Sequence, residues 1–252
     1  MKHLDLFSGI GGFALACKWL DIETIGFVEI DSYCQKVLTK NFPDIPIIGD
    51  IKDVKEDTFP RPVDLITGGF PCQPFSVAGK RKGQSDDRFL WPAMCDIIKG
   101  YKPTWVLGEN VTGIIDMAFY EVLSDMDNIG YETQTFVIPA CAVNAPHRRD
   151  RVWFVAHTKS LNGNEYANES GGEMPRQGMG GLQSGGCGMP EIEGTFNINK
   201  REILESAICR EDDGIPFRVD RIKSLGNAIV PQVAYVILQS IKDIATVAKC
   251  GE

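Results

Sequence analysis

No C-x-x-C pair occurs among the eight cysteines of this chain, which lie singly at positions 17, 34, 72, 95, 141, 187, 209 and 250. Neither a zinc site nor a disulfide framework is therefore indicated. No apolar run approaches the ~20 residues of a membrane span, so no membrane partner is expected. The first residues, Met1-Lys2-His3-Leu4-Asp5, reach an acid too soon for a signal peptide. A cytoplasmic location with reduced thiols follows as the expectation, and Cys72 can be a free thiol. Positive charge is also short: 26 basic residues face 34 acidic ones, a net charge of -8. Such a balance argues against strong non-specific affinity for nucleic acid. It leaves room for local basic clusters, and three occur: Lys80-Arg81-Lys82, Arg148-Arg149-Asp150-Arg151 and Arg218 to Lys223. No internal repeat is evident. What is present is ordinary for a globular protein, with 43% hydrophobic and 24% charged residues over 252 positions. That length fits one large domain, or one domain with a small insert.

The first half alternates strand and helix patterns. Leu4 to Phe7 reads as a strand, Ser8 to Gly12 as a glycine-rich turn and Phe13 to Leu20 as a helix. Thr24 to Glu29 is a second strand, and Asp31 to Asn41 a helix with Asp31 as its cap. Strands at Ile45 to Ile48, Val63 to Thr67 and Trp105 to Gly108 follow, with helices at Phe89 to Lys99 and Asp116 to Met126. Thr133 to Val137 and Val152 to Ala156 resemble two closing strands rich in β-branched and aromatic residues. The order predicts an α/β fold with a doubly wound sheet. From about Thr158 to Phe217 paired glycines and polar residues break all periodicity. That stretch is either a disordered insert or a loop-rich recognition module. Pro231 to Lys249 then reads as a final helix, with proline in its first turn.

Chemistry concentrates at the ends of the strands. Gly69-Phe70-Pro71-Cys72-Gln73-Pro74-Phe75-Ser76 puts one cysteine in a proline-flanked loop directly after an apolar strand. The prolines restrict the backbone on both sides of the thiol. A lone cysteine is more often a small buried hydrophobe, but a thiolate at a polar strand end suits nucleophilic attack. Asp5-Leu6-Phe7-Ser8-Gly9-Ile10-Gly11-Gly12-Phe13 can bring backbone N–H groups close to a ligand. Glu29, at the end of the next strand, can hold ribose hydroxyls, and Asp50 in Gly49-Asp50-Ile51 can accept from an adenine amine. The competing reading is a tight turn with two surface acids. Glu109 follows Trp105 to Gly108 and, in an apolar pocket, could stay protonated and act as an acid. Arg149 and Arg151 alternate and so share a face, either to hold oxygen atoms of a ligand or to guard a sheet edge. Gly226-Asn227-Ala228-Ile229-Val230-Pro231 reads as a turn that opens a helix.

Taken in order, these pieces resemble the cytosine-5 DNA methyltransferase family, in its compact bacterial or phage form. The resemblance covers about Leu4 to Ala156 and Arg218 to the C-terminal helix. It implies a Rossmann-like methyltransferase domain at 1–157 and 218–252, with a short, loop-rich target-recognition insert at 158–217. It implies S-adenosylmethionine as cofactor, with Phe7 stacked on the adenine and Glu29 on the ribose. Asp50 would take the adenine amine, with Ile51 beside it. Gly9, Gly11, Gly12, Ile30, Pro71 and Asn227 would complete the cofactor site. Cys72 would attack carbon 6 of a cytosine flipped out of duplex DNA. Glu109 would contact ring nitrogen 3 and the exocyclic amine, Arg151 the carbonyl oxygen, and Arg149 would order the pocket. Ser76, Lys80, Arg81 and Lys82 would lie on a loop that closes over DNA. A monomer is implied, and so is room for a cognate restriction endonuclease acting separately. Two departures stand out: Pro146-His147 replaces the family's Pro-Gln, and the variable region is short.

Three other readings compete. A tRNA cytosine methyltransferase shares this kit, although the glycine-rich insert does not resemble that group's recognition segment. A DNA-binding module without turnover is opposed by intact Cys72, Glu109 and Arg151. A nicotinamide dehydrogenase leaves the Phe-Pro-Cys-Gln and Glu-Asn-Val segments unexplained.

Overall fold

The structure, a computed structural model, describes residues 1–71, 89–116, 118–159 and 218–250. The expectations for Cys72, Ser76, Lys80, Arg81, Lys82 and most of the 158–217 insert fall outside these residues. The described residues belong to one compact unit that joins the N-terminal stretch to the C-terminal one.

Seven strands form one sheet: β1 (Lys2–Leu6), β2 (Glu23–Val28), β3 (Ile47–Ile48), β4 (Leu65–Gly68), β5 (Trp105–Val111), β6 (Tyr131–Pro139) and β7 (Asp150–Thr158). Their spatial order is β3-β2-β1-β4-β5-β7-β6. The first five are parallel. β7 runs antiparallel between β5 and β6. The helices are α1 (Gly12–Trp19), α2 (Ser32–Asn41), α3 (Trp91–Tyr101), α4 (Phe119–Asn128), α5 (Arg218–Asn227) and α6 (Pro231–Cys250). This is the doubly wound, Rossmann-like sheet expected from the strand–helix alternation.

Alternating side chains send each strand's residues into two cores. Leu4, Leu6, Ile66, Val106 and Phe154 pack against Trp91, Met94 and Ile98 of α3 and Val122 and Met126 of α4. On the other face Leu65, Trp105, Leu107 and Trp153 meet Phe13 and Cys17 of α1 and Val233, Leu238 and Ile241 of α6. The helical stretch Val219–Val247 is long and apolar enough to cross a membrane by composition. Of its apolar side chains, Val233, Ala234, Leu238 and Ile241 are buried in this second core.

Some boundaries differ from the sequence reading. β5 continues to Val111, so Glu109 lies within the strand rather than at its end. The helix expected from Asp116 begins at Phe119, after a 3₁₀ turn at Thr112–Ile114. The stretch from Gly226 to Pro231 does lead into a helix, α6, but Gly226 and Asn227 also close α5, a helix the sequence reading did not foresee. The reason is that Val219, Ile222 and Leu225 of α5 are exposed, so its apolar positions do not mark a core-facing stripe. Pro231 does occupy the first turn of the following helix.

Between β1 and β4 the winding reverses, since β1 leads to β2 on one side and β4 to β5 on the other. A crevice at the carboxyl ends of the strands is the usual consequence at such a point. The functional residues gather there.

Candidate active site

The turn after β1 is held in an unusual shape. Phe7 lies at φ 54°, Gly9 at φ 54° and Gly11 at φ 87°. The left-handed region costs a non-glycine residue of order 1–3 kcal/mol, and the surroundings hold Phe7 there. Ser8 N donates to Val28 O at 3.0 Å, and Ser8 Oγ donates to Asp5 O at 2.7 Å. Gly9 N donates to Glu29 Oε2 at 2.6 Å, and Asp31 N to Glu29 Oε1 at 2.8 Å. One carboxylate thus joins the ends of β1 and β2. A Cβ at Gly9 would meet nothing within 4 Å, so this glycine opens on free space.

The next strand ends supply two more carboxylates. Asp31 Oδ1 caps α2 through the N–H groups of Tyr33 and Cys34, as its sequence position predicts. Asp50 Oδ1 accepts from Lys52 N at 3.0 Å, and Ile51 beside it is buried.

At β4 the chain is anchored by Phe70, whose ring lies 5.3 Å from that of Trp91 and 6.3 Å from that of Phe89. Asn110 Nδ2 donates to Phe70 O at 3.0 Å. The segment that leads to Cys72 therefore leaves the sheet from a fixed point. A Cβ on Gly69 would sit 3.2 Å from Glu109 Oε2, so the glycine makes room for that carboxyl.

Glu109 is 8% exposed and pairs with Arg151, Oε1 to Nε at 2.9 Å. Burial raises its pKa to about 7, and the charges of Arg151 and Arg149 oppose that rise. Near neutrality both protonation states are within reach. Arg149 Nη2 donates to the carbonyls of Gly226 at 2.7 Å and Ala228 at 2.9 Å, on either side of Asn227. From the middle of α5, Lys223 Nζ meets Asp31 Oδ2 at 2.9 Å, and Ser224 Oγ lies 3.5 Å from Cys34 Sγ. α5 is thus tied down at its middle and at its C-terminal end.

One cleft of about 480 Å³ brings together Phe7, Gly9, Glu29, Ile30, Asp50, Ile51, Pro71, Glu109, Arg149, Arg151 and Asn227. All were singled out from the sequence. Gly11 and Gly12 line a separate groove of about 730 Å³, together with His147 and Arg149. These two glycines serve packing: a Cβ at Gly11 would touch Leu38 and Phe42, and one at Gly12 would lie 2.6 Å from Ile229 Cγ1. Among the described residues no carboxylate lines that groove. The sequence reading did not place Asn110, Lys223 or Ser224 at the site, and saw Asp31 only as a cap. No local signal marks Lys223 or Ser224, because their partners on α2 are distant in the chain.

The residues fit an adenosine cofactor: an aromatic ring, two carboxylates on successive strand ends and an open glycine share one cleft of suitable size. A doubly wound sheet with such a cleft at its switch point is a Rossmann-like nucleotide-binding fold. The model of the C-5 cytosine-specific DNA methylases matches residues 1–200, and the chain belongs to that family. Methyltransferases of this family use S-adenosylmethionine.

The chain is 34% identical over 167 residues to the Type II methyltransferase M.HhaI of Haemophilus parahaemolyticus, covering 64% of this chain and 50% of that one. With M.BsuFI of Bacillus subtilis it shares 30% identity over 226 residues, 87% of this chain and 53% of the relative. A DNA modification methyltransferase encoded within an E. coli prophage has a solved structure that is 26% identical, with a TM-score of 0.54, covering 64% of this chain and 48% of that one. The chain spans about half the length of the curated relatives it matches.

Proposed function

We propose that this chain methylates carbon 5 of a cytosine flipped out of duplex DNA, through a transient bond to Cys72. The observation that carries this reading is the buried Glu109–Arg151 pair, set beside the anchored strand end that leads into Pro71 and Cys72. Carbon 5 of cytosine is a poor nucleophile, and covalent addition at carbon 6 splits one hard step into easier ones.

The S-adenosylmethionine would supply an electrophilic methyl group. Phe7, Gly9, Glu29, Ile30, Asp50, Ile51, Pro71 and Asn227 would hold it in the cleft. Protonated Glu109 donates to ring nitrogen 3 of the cytosine and draws electron density from the ring as the Cys72 sulfur bonds to carbon 6. Arg151 keeps that carboxyl aimed and offers its guanidinium to the base's carbonyl oxygen. The methyl that the cofactor would supply would go to carbon 5; that carbon would then lose its proton to water, the sulfur–carbon 6 bond would break to regenerate Cys72, and ring nitrogen 3 would return its proton to Glu109. Arg149 holds the turn around Asn227 that closes the cleft from the C-terminal side. Ser76, Lys80, Arg81 and Lys82 would contact DNA phosphates, and 158–217 would read the target. A monomer working in the cytoplasm, with or without a cognate nuclease, fits this scheme.

Duplex DNA carrying 5-fluorocytosine tests it, because fluorine in place of the departing proton stops the reaction at the covalent stage. The expected result is a complex that survives denaturation and forms only with S-adenosylmethionine present. Binding of cofactor and DNA without that complex would leave a binding protein. A complex on RNA alone would move the substrate to RNA.

A further inference from the structure

A row of polar side chains lies buried in the sheet beside the cleft. His3 and Asp5 on β1, Thr24 on β2 and Thr67 on β4 share one face, because His3 is registered with Thr24 and Asp5 with Thr67. His3, Asp5 and Thr67 have no exposed surface. Asp5 Oδ1 lies 2.8 Å from Thr67 Oγ1, Thr67 Oγ1 lies 2.8 Å from His3 Nε2, and His3 Nδ1 lies 3.0 Å from Thr24 Oγ1. Asp5 Oδ2 has no hydrogen-bond partner among the described residues. The row begins two residues before Phe7 and Thr67 lies two before Gly69, both of which line the cleft. It ends at half-buried Thr24, which opens on a groove of about 430 Å³ lined also by Asp21, Glu23 and Asp44.

Every member of this row can act in either direction. With Asp5 protonated, its O–H donates to Thr67, Thr67 donates to Nε2, and Nδ1–H donates to Thr24. With Asp5 ionised, Thr24 donates to Nδ1, Nε2–H donates to Thr67, and Thr67 donates to Asp5. The two patterns use the same three contacts and differ by one proton.

We propose that Asp5, Thr67, His3 and Thr24 form a proton path from the buried Asp5 carboxyl, behind the ligand cleft, to the Thr24 groove, along which Asp5 gives up its proton when a cation fills the cleft and takes it back when a neutral ligand does. The Asp5 proton passes to Thr67 Oγ1 as that hydroxyl's proton passes to Nε2. The Nδ1 proton passes to Thr24, whose own proton leaves for bulk water. No heavy atom has to move, and each group ends with its valence restored. His3 stays neutral at its resting point, since burial takes its pKa down to about 3.

The groups that face Asp5 explain why it holds a proton at all. Burial pushes its pKa up to about 8; the Thr67 bond and the backbone N–H of Ala14 oppose this, and the charge of Glu29 adds to it. Cys17 of α1 also faces it, and burial and the Asp5 charge both push that thiol up, so it offers no compensating cation. A positive charge in the cleft favours the ionised form, and by linkage the ionised form favours the cation. The inference rests on the proposed methyl-donor site: S-adenosylmethionine carries a sulfonium cation, and its product S-adenosylhomocysteine carries a neutral sulfur.

Carbon-13 NMR of the full chain labelled at aspartate carboxyls reads the state of Asp5 directly. Asp5→Asn identifies its signal; should that variant not fold, Thr67→Val identifies it by displacing it. In the free protein and with S-adenosylhomocysteine, the Asp5 carbon is expected to titrate near pH 8, and with S-adenosylmethionine about one pH unit or more lower, a roughly tenfold shift in its proton affinity. Thr24→Val cuts the exit and is expected to slow exchange, so that protonated and ionised Asp5 give two signals rather than one average. An Asp5 ionised throughout the neutral range, the same titration with both ligands, or unchanged exchange in Thr24→Val overturns the proposal. If neither ligand binds, the methyl-donor reading fails and the proposal falls with it, whereas two bound ligands with one common titration sink the proposal alone.

Discussion

Glu109 shows what one side chain must balance. Burial holds its proton to about pH 7, while the guanidinium of Arg151, 2.9 Å away, works against that. A group that must be protonated to donate is active below its pKa and fails above it. The methylation rate is expected to hold below about pH 7 and to fall above it if this proton is required, as a pH–rate profile of the wild type would show. Glu109→Gln keeps the shape and cannot pass a proton on, so its rate is expected to drop by roughly 10²–10⁴-fold. A Glu109→Gln rate near wild type would remove this group from the chemistry. Cys72→Ser is expected to lose methylation altogether while S-adenosylhomocysteine, measured by calorimetry, binds as before. At this scale the sequence was informative: Glu109, Arg149 and Arg151 stand at or near strand ends, where side-chain direction follows from alternation. The 2.9 Å pairing, and the space that Gly69 leaves for it, belong to three strands at once and could not be read from any one of them.

Among the elements, α5 has the clearest function relative to its sequence signal. It is fixed beside the cleft by Lys223 on Asp31 and by Arg149 on the Gly226 and Ala228 carbonyls. Asp31 does two jobs, so two variants separate them. Asp31→Ala removes the α2 cap and is expected to cost about 1 kcal/mol of stability, together with weaker binding of S-adenosylhomocysteine. Lys223→Met breaks only the tie to α5, so binding weakens while the denaturation midpoint stays put; equal loss of stability in both variants would refute the division. β5 is governed by a different constraint. A Cβ on Gly108 would come within 2.0 Å of the Phe154 ring, so Gly108→Ala is expected to lose about 1–3 kcal/mol through overpacking, read by urea unfolding. The strands and helices of the core were legible because their apolar periods agree with burial. α5 was not, since its apolar residues face outward and its hold on the cleft is polar.

At the scale of the whole molecule the chain is a member of the C-5 cytosine-specific DNA methylase family that spans about half the length of its curated relatives. Target choice is then expected to reside in the short 158–217 region. Replacing it with the corresponding segment of another member should change the methylated sequence, as bisulfite sequencing of host DNA would reveal; an unchanged target would place recognition in the catalytic domain. The amino-acid sequence by itself determined the α/β class, the position of each candidate residue at or near a strand end and the family, because hydrophobic period and motif order are local properties carried along the chain. Only the tertiary structure decided which of those residues meet. It put Gly9 in the cleft and Gly11 and Gly12 into packing, joined α5 to α2, and lined up His3, Asp5, Thr24 and Thr67 across three strands. These are contacts between segments far apart in the chain, set by strand order and register, and no local pattern encodes them.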